Sequence, residues 1–333
     1  MSLSSVAVVI LNWNGRSYLE KFLPTVILYS ADAQIIVADN CSTDNSVAFL
    51  HDNFPSVEVI RLDKNYGFAQ GYNEALKQVK AEIYVLLNSD VEVTPNWLTP
   101  CVDKLRSEEA IAVCQPKIKA FHQKEYFEYA GAAGGYIDKY GYPFCRGRIF
   151  DDLEEDRGQY DSEKEIFWAS GAAMFIKSTI FHQLQGFDGL FFAHMEEIDL
   201  CWRIQNKGKK IVVVPQSEVF HVGGGTLNKV KPFKTFLNFR NNLTMLYKNL
   251  PHKKRGRIIF VRLFLDGLAG IKFIMEGKFN HCFAIIKAHF AFYKYVLNAS
   301  KNSATKAFPS TVYDKSILYH YFVKKQKKYS DLS

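Results

Sequence analysis

The chain has 333 residues, 48% hydrophobic and 23% charged, a balance that excludes a disordered or collagen-like polymer. A chain this long buries about three quarters of its unfolded surface, enough for two domains or one large α/β domain with an appendage. Lys plus Arg total 42 against 34 Asp plus Glu, and the resulting charge of +8 favours anionic partners: nucleotides, phospholipid head groups or nucleic acid.

Val6–Leu11 is a continuous apolar run ended by Asn12-Trp13-Asn14-Gly15, the pattern of a parallel strand buried on both faces. It has no basic start and stops at Leu11, so it does not read as a signal peptide. Tyr18, Leu19, Phe22, Leu23, Val26 and Ile27 then recur at helical spacing. Ile35–Ala38 is a second strand ending in Asp39-Asn40, and Asp44 is placed to cap a helix around Val47–Leu50. A third strand over Val57–Leu62, a helix over Ala69–Val79 and a fourth strand over Ile83–Leu87 follow, the last ending in Asn88-Ser89-Asp90. This alternation predicts an α/β fold, a doubly wound, mostly parallel sheet flanked by helices. Ligands of such sheets sit beyond the carboxyl ends of the strands. Asn12, Asp39, Asn65, Asn88 and Asp90 all fall there.

From about Ile111 the rhythm loosens, and Gly131–Gly135 and Asp151–Asp156 flank what reads as an irregular insert. Order returns over Ile166–Ile176, with helices near Ser178–Leu184 and Glu196–Asn206 and a strand over Ile211–Val214. Phe220-His221-Val222 and the triplet Gly223-Gly224-Gly225 come next. The last third differs. Lys253, Lys254, Arg255 and Arg257 precede IIFVRLFLDGLAGIKFIM, in which Arg262, Asp266 and Lys272 share one side of a helix and leave a broad apolar face. Phe283–Leu297 carries Lys287 and Lys294 among aromatics, and Lys324, Lys325, Lys327 and Lys328 end the tail. No run of about 18 residues is free of charge, so a spanning helix is not expected. The six scattered cysteines form no CxxC pair, which argues for reduced thiols and a cytoplasmic protein rather than a zinc site or a disulfide framework. The composition shift divides the chain into residues 1–250 and a basic, helical region over 251–333.

The chemistry-bearing residues have two readings each. Asp39 suits a base or ribose contact, or a turn. Asn65-Tyr66-Gly67-Phe68 suits a phosphate-facing loop, or a capped turn. Asp90 suits a hard cation holding a diphosphate. In His194-Met195-Glu196-Glu197-Ile198-Asp199, three carboxylates crowd the start of a helix. The macrodipole favours one or two of them there, but all three need a proton or cation to share. His221 by itself reads as structural. No GxGxxG follows a strand, and GxxxxGK[ST], HExxH and GxSxG are missing, which removes dinucleotide oxidoreductase, P-loop, zincin and α/β-hydrolase readings.

Four strings, VVILNWNG, VADNCSTDNS, LDKNYGFAQGYNEAL and VLLNSDVEV, resemble the opening of family 2 glycosyltransferases of the GT-A fold. WASGAAMFIKSTIFHQLQGFDGLFFAHMEEIDLCWR resembles their rhamnosyltransferase and galactofuranosyltransferase branch, and the likeness runs from about Val6 to His221. It implies a nucleotide-sugar site on Asn12, Asn14, Asp39, Asn65, Gly67, Asn88, Ser89 and Asp90. The family's metal-binding DxD falls on Asn88-Ser89-Asp90, with Asn88 in place of the first Asp. The resemblance also places a catalytic base at Glu197, with Glu196 and Asp199 beside it, and a Mg²⁺ or Mn²⁺ site on Asp90 and His221. The implied reaction is inverting transfer from a nucleoside-diphosphate sugar, a deoxyhexose such as rhamnose before other hexoses, to a glycan or lipid-linked glycan in cell-surface polysaccharide synthesis.

Three alternatives stand beside that reading. A sugar-nucleotidyltransferase shares the architecture but needs a glycine-rich phosphate loop near the first strand, which Asn12–Arg16 does not supply. An inactive sugar-nucleotide-binding homologue is compatible with Asn88. A nucleic-acid-binding protein would carry its basic residues on the sheet, whereas here they concentrate after Lys253, so nucleic acid is not expected as a partner. Apolar faces built from Ile258, Phe260, Leu263, Phe264 and Phe273, flanked by Lys253, Lys254 and Arg255, predict peripheral docking at the inner face of the cell membrane. The competing expectation is that these helices pack on the catalytic domain or form a dimer interface.

Overall fold

Val6, Val8 and Ile10 pack into one hydrophobic layer while Ala7 and Val9 pack into the other. The first strand is therefore buried on both faces, which is why it reads as an unbroken apolar run instead of an alternating one. The computed structural model describes residues 5–223, 231–299 and 307–332. In chain order the first elements are β1 (Val6–Asn12), α1 (Arg16–Leu28), β2 (Gln34–Asp39), α2 (Ser46–Asn53), β3 (Glu58–Arg61) and α3 (Gly67–Leu76). Next come β4 (Ile83–Asn88), β5 (Val91–Val93), α4 (Thr99–Ser107), β6 (Ile111–Ala120), β7 (Gly135–Ile137), β8 (Pro143–Cys145), β9 (Arg148–Ile149) and β10 (Asp152–Leu153). The remainder are β11 (Lys164–Glu165), β12 (Ala173–Lys177), α5 (Ser178–Gln183), α6 (Glu196–Asn206), β13 (Lys210–His221), α7 (Pro232–Asn249), α8 (His252–Met275) and α9 (Phe279–Asn298).

The main sheet runs β11-β13-β6-β12-β4-β1-β2-β3, with β5 added to β13. β3, β2, β1 and β4 are parallel to one another, β6 and β13 are parallel, and β12 is antiparallel to both of its neighbours. The order 3-2-1-4 means that the chain adds β2 and β3 on one side of β1, then returns to add β4 on the other. That reversal opens a crevice at the carboxyl ends of β1 and β4. In register, Asn12 faces Asp39 across one flank of β1, and Leu11 faces Asn88 across the other. The fold class expected from the alternation is the one observed.

Three local expectations are corrected. The insert after Ile111 is not irregular: β6 is a long core strand, and β7 to β10 form a second, four-stranded antiparallel sheet. Its strands are two or three residues long, too short for a period to show. Lys210–His221 is a single strand, with a register shift after Val214 that hides its continuity. Asp44 is not the cap residue. Asn45, in the left-handed conformation, precedes α2, and Asp44 instead accepts the Ser46 and Arg16 amides at 3.2 and 2.9 Å, tying α2 to α1. Within the glycine triplet, Gly224 and Gly225 lie outside the described residues.

α7, α8 and α9 pack against one another, and α7 also packs on α6. On α8 the buried positions are Ile258, Arg262, Asp266 and Gly270, spaced by four. The Arg262–Asp266 pair, 3.5 Å apart, thus faces the protein and not the solvent. Arg262 donates to the Tyr140 carbonyl at 3.0 Å and lies 3.7 Å over the Tyr142 ring, and His289 of α9 stands 3.3 Å from Asp266. Ile258 is buried in the core, which corrects the sequence expectation that placed it in the exposed apolar face. Among the described residues no helix is long and apolar enough to cross a membrane.

Candidate active site

At the crevice, Asn12 ends β1 with its side chain fully buried, donating to Asp39 Oδ1 at 3.1 Å and to Ser42 Oγ at 3.2 Å. Asp39 Oδ2 accepts the Ser42 amide at 3.0 Å. Asn14 has φ +51 and accepts the Thr43 amide at 2.7 Å, which stitches the loop after β1 to the loop after β2. Gly15 must be glycine, since a Cβ there would come within 2.5 Å of Asn12 Oδ1. Asn14, Asn65, Gly67, Asn88, Ser89 and Asp90 line a cleft of about 2190 Å³, whereas Asn12 and Asp39 are buried and do not line it.

Asn65-Tyr66-Gly67-Phe68 is a capped turn. Asn65 Oδ1 accepts the Gly67 amide at 2.8 Å and Asn40 Nδ2 at 3.1 Å. The next amides, Phe68 and Ala69, donate to the Phe192 carbonyl at 2.7 and 3.2 Å, so the start of α3 is filled by protein. Gly67 has φ +73, and a Cβ on it would meet Phe192 at 2.5 Å. The contact joins the turn before α3 to the loop that leads into α6.

Asp90 and His221 meet where β4 ends and β13 ends. His221 Nε2 is 3.2 Å from Asp90 Oδ1, and its Nδ1 is 3.4 Å from Glu128 Oε2. All three side chains are buried. Burial opposes a charge on His221, but Glu128 and Asp90 on either side outweigh it, and its pKa is pushed up to about 10. Burial likewise opposes ionisation of Asp90 and Glu128, and His221 overrides it and holds both below the ordinary carboxylate value. Asn88 Nδ2 lies 3.4 Å from His221 Nε2, so the DxD position lacking a carboxylate still faces this cluster. Glu128 has no counterpart in the sequence reading. It follows β6 in a stretch without period, and a bridge between Lys119 and Phe127 brings it beside His221.

Among the described residues no three His, Cys, Asp or Glu side chains form a ready cage for a metal ion. Asp90 and His221 are nevertheless a fitting pair for a divalent cation that takes its other ligands from water and a diphosphate, as Mg²⁺ and Mn²⁺ do, provided that His221 gives up its proton as the cation takes its place beside Asp90. A carboxylate behind the ligating imidazole, the place Glu128 takes, is the usual way of orienting such a ring.

Glu196 and Glu197 open α6 and line the same cleft. Glu196 is 4% exposed and its Oε2, like that of Glu197, has no hydrogen-bond partner among the described residues. Burial pushes the Glu197 carboxyl up to about 7; burial and the neighbouring Glu197 push Glu196 well above the ordinary carboxylate value. Such a pair holds a proton near neutral pH, the property of a general base poised for an alcohol. Asp199 is different. One turn on, it is fully buried outside the cleft, bonded to Arg203 at 2.8 Å, Lys248 at 3.0 Å and Asn249 at 2.8 Å. Burial disfavours its charge, but Arg203 and Lys248 more than compensate and keep its pKa low. It anchors α6 to α7 and has no free oxygen to offer a substrate.

The description "Glycosyl transferase family 2" matches residues 7–180, just over half of the chain. An N-acetylglucosaminyl-diphospho-decaprenol L-rhamnosyltransferase of Mycobacterium tuberculosis is 24% identical over 233 residues, 64% of this chain and 75% of the relative. The rhamnosyltransferase WbbL of Escherichia coli is 22% identical over 227 residues, 65% of this chain and 83% of the relative. Among solved structures, GalNAc-T7 with UDP, GalNAc and Mn²⁺ superposes with a TM-score of 0.59 at 19% identity, over 76% of this chain and 49% of that one. At that identity the superposition speaks for the fold alone. A parallel sheet with its crevice at β1 and β4, polar residues gathered on that crevice, and the match over residues 7–180 lead to one conclusion: the chain belongs to glycosyltransferase family 2.

Proposed function

We propose that this glycosyltransferase moves a deoxyhexose, rhamnose first, from a nucleoside-diphosphate sugar to a lipid-linked glycan, with inversion at the anomeric carbon. The observation that carries the reading is one cleft lined both by Asp90 and His221 and by Glu196 and Glu197. On this reading the loops after β1, β2 and β4 hold the nucleotide, and Asp90 and His221 would hold a divalent cation. When bound, such a cation offsets the charge that develops on the leaving diphosphate. Glu197 takes the proton of the acceptor hydroxyl as it attacks, its own burial keeping that proton affinity high. The two rhamnosyltransferase relatives support the choice of sugar, and the mycobacterial one supports a lipid diphosphate acceptor. A thermal-shift panel of UDP-, GDP- and dTDP-sugars, with and without Mn²⁺, tests it. We expect a metal-dependent shift for one nucleotide and a further shift for its rhamnose conjugate; no shift with any of them would overturn the reading.

We further propose that residues 251–333 bring the transferase portion, residues 1–250, to an anionic membrane surface. Because α8 turns its charged pair inward, its aromatic face is outward: Phe260 is 72% exposed and Phe264 62%, with Phe290 of α9 at 70%. Apolar patches of this kind are rare on monomers unless something covers them. Lys253 and Lys254 of α8 and Lys287 and Lys294 of α9 are exposed on the same two helices, and each basic residue near an anionic surface contributes about 1 kcal/mol. Phe264 and Leu268 also line the catalytic cleft, so the patch continues to the site where a lipid-borne acceptor would react. Vesicles of anionic phospholipid should pellet the full chain at low salt, and the triple variant Phe260→Ser, Phe264→Ser, Phe290→Ser should remain in the supernatant. Equal pelleting of the two proteins, or none of either, would refute docking through this face.

A further inference from the structure

We infer that the His194 imidazole is a contact for a sugar hydroxyl, presented into the cleft by a strained loop that Asn241 of α7 holds from behind. The inference rests on the transferase reading above and adds to it the group that reads the sugar.

The loop between Asp188 and α6 has a backbone that side chains rarely tolerate. Phe192, His194 and Met195 have φ of +62, +70 and +75, and none of them is glycine. A conformation of this kind persists only where its surroundings impose it, and such places concentrate at functional sites. Here the imposition is visible. Asn241 is fully buried, and its Nδ2 lies 2.9, 2.9 and 2.8 Å from the carbonyls of Phe191, Ala193 and His194. Arg240 donates to the Leu190 and Phe191 carbonyls at 2.9 and 3.1 Å. From the opposite side, the start of α3 binds the Phe192 carbonyl.

What the loop presents is His194, which lines the cleft next to Glu196 and Glu197. Its Nε2 is buried and meets no partner among the described residues. A buried ring nitrogen without a partner is costly and calls for one. Burial, together with the nearby Lys234, lowers the pKa of this imidazole to about 4, so the ring is neutral at pH 7. A neutral imidazole matches a hydroxyl, which can donate to it or accept from it. Donor sugar and acceptor sugar both carry such a group.

The test compares His194→Ala and His194→Gln with the wild type. Affinities for dTDP-rhamnose, UDP-N-acetylglucosamine and GDP-mannose are measured against their bare diphosphates by calorimetry. The KM of a synthetic polyprenyl-diphosphate N-acetylglucosamine acceptor is measured in parallel. Alanine should weaken either the sugar-bearing donor or the acceptor by about tenfold or more, leaving bare diphosphate affinity unchanged, and glutamine should restore most of the loss. A donor effect places the hydroxyl on the transferred sugar, and an acceptor effect places it on the acceptor. Changes below about threefold on both sides, or a glutamine variant as weak as alanine, would overturn the assignment. Asn241→Ala should lower kcat and reproduce the His194→Ala loss with bare diphosphate binding intact; wild-type kinetics in that variant would remove Asn241 as the positioning residue. The His194 pair decides the inference whatever Asn241→Ala does to folding. A wild type that binds none of the three donors would overturn the transferase reading, and the assignment with it.

Discussion

Replacing Glu197 by glutamine is expected to abolish sugar transfer while making the protein more stable at pH 8. Loss of a general base costs about 10²–10⁴ in rate. The stability gain follows from the same burial that raises the proton affinity of Glu197. Glu197 is held at about 7 in the folded protein against an ordinary value of 4.5, so between those values the native state binds more protons than the unfolded chain. Stability therefore falls as pH rises through that window, the reverse of the usual carboxylate. At about 1.4 kcal/mol per unit, ionising Glu197 costs on the order of 3 kcal/mol above pH 7. Glutamine cannot ionise and avoids that cost. Thermal denaturation should show Glu197→Gln melting a few degrees above the wild type at pH 8 and close to it at pH 4. Wild-type transfer should rise with pH through about 7 as the base becomes available. A variant retaining half of the wild-type rate would pass the role to Glu196. Asp199 is not a substitute, because Arg203, Lys248 and Asn249 already occupy its oxygens.

Asp90→Asn and His221→Ala should each weaken metal-dependent nucleoside diphosphate binding by about 100-fold or more, since each removes one of the two groups proposed to hold the cation. The two variants differ in what they leave behind. His221→Ala strands Asp90 and Glu128 as buried carboxylates without their shared counter-charge, and removing one member of a buried ion pair costs about 3–5 kcal/mol. Asp90→Asn keeps the shape and leaves His221 paired with Glu128, so it is the cleaner arm. Calorimetry of UDP and dTDP with and without Mn²⁺ separates affinity from stability. Diphosphate affinity unchanged in both variants, with or without the metal, would remove Asp90 and His221 as its ligands.

The sequence by itself determined the strands that end at the cleft and the helix that opens with Glu196 and Glu197. Val6–Leu11 and Ile83–Leu87 are apolar throughout because both faces of β1 and β4 are covered, and the polar residues that stop those runs are the ones at the crevice. The helix over Glu196–Asn206 was legible to the residue. What only the tertiary structure decided is which of these groups face the cleft. A period shows which residues share a face, but the neighbour that buries it comes from far along the chain. Asp199 and Glu197 are two positions apart on one helix, and Lys248 and Asn249 of α7 draw Asp199 out of the site. Glu128 and Asn241 carry no local pattern at all and acquire their meaning from His221 and from the carbonyls of the loop at 191–194. The clearest case is α8, whose Arg262–Asp266 pair defines a polar side as well by spacing as by structure. Spacing is silent on direction, and it is the Tyr140 carbonyl, the Tyr142 ring and His289 that turn this side inward and leave Phe260 and Phe264 facing out.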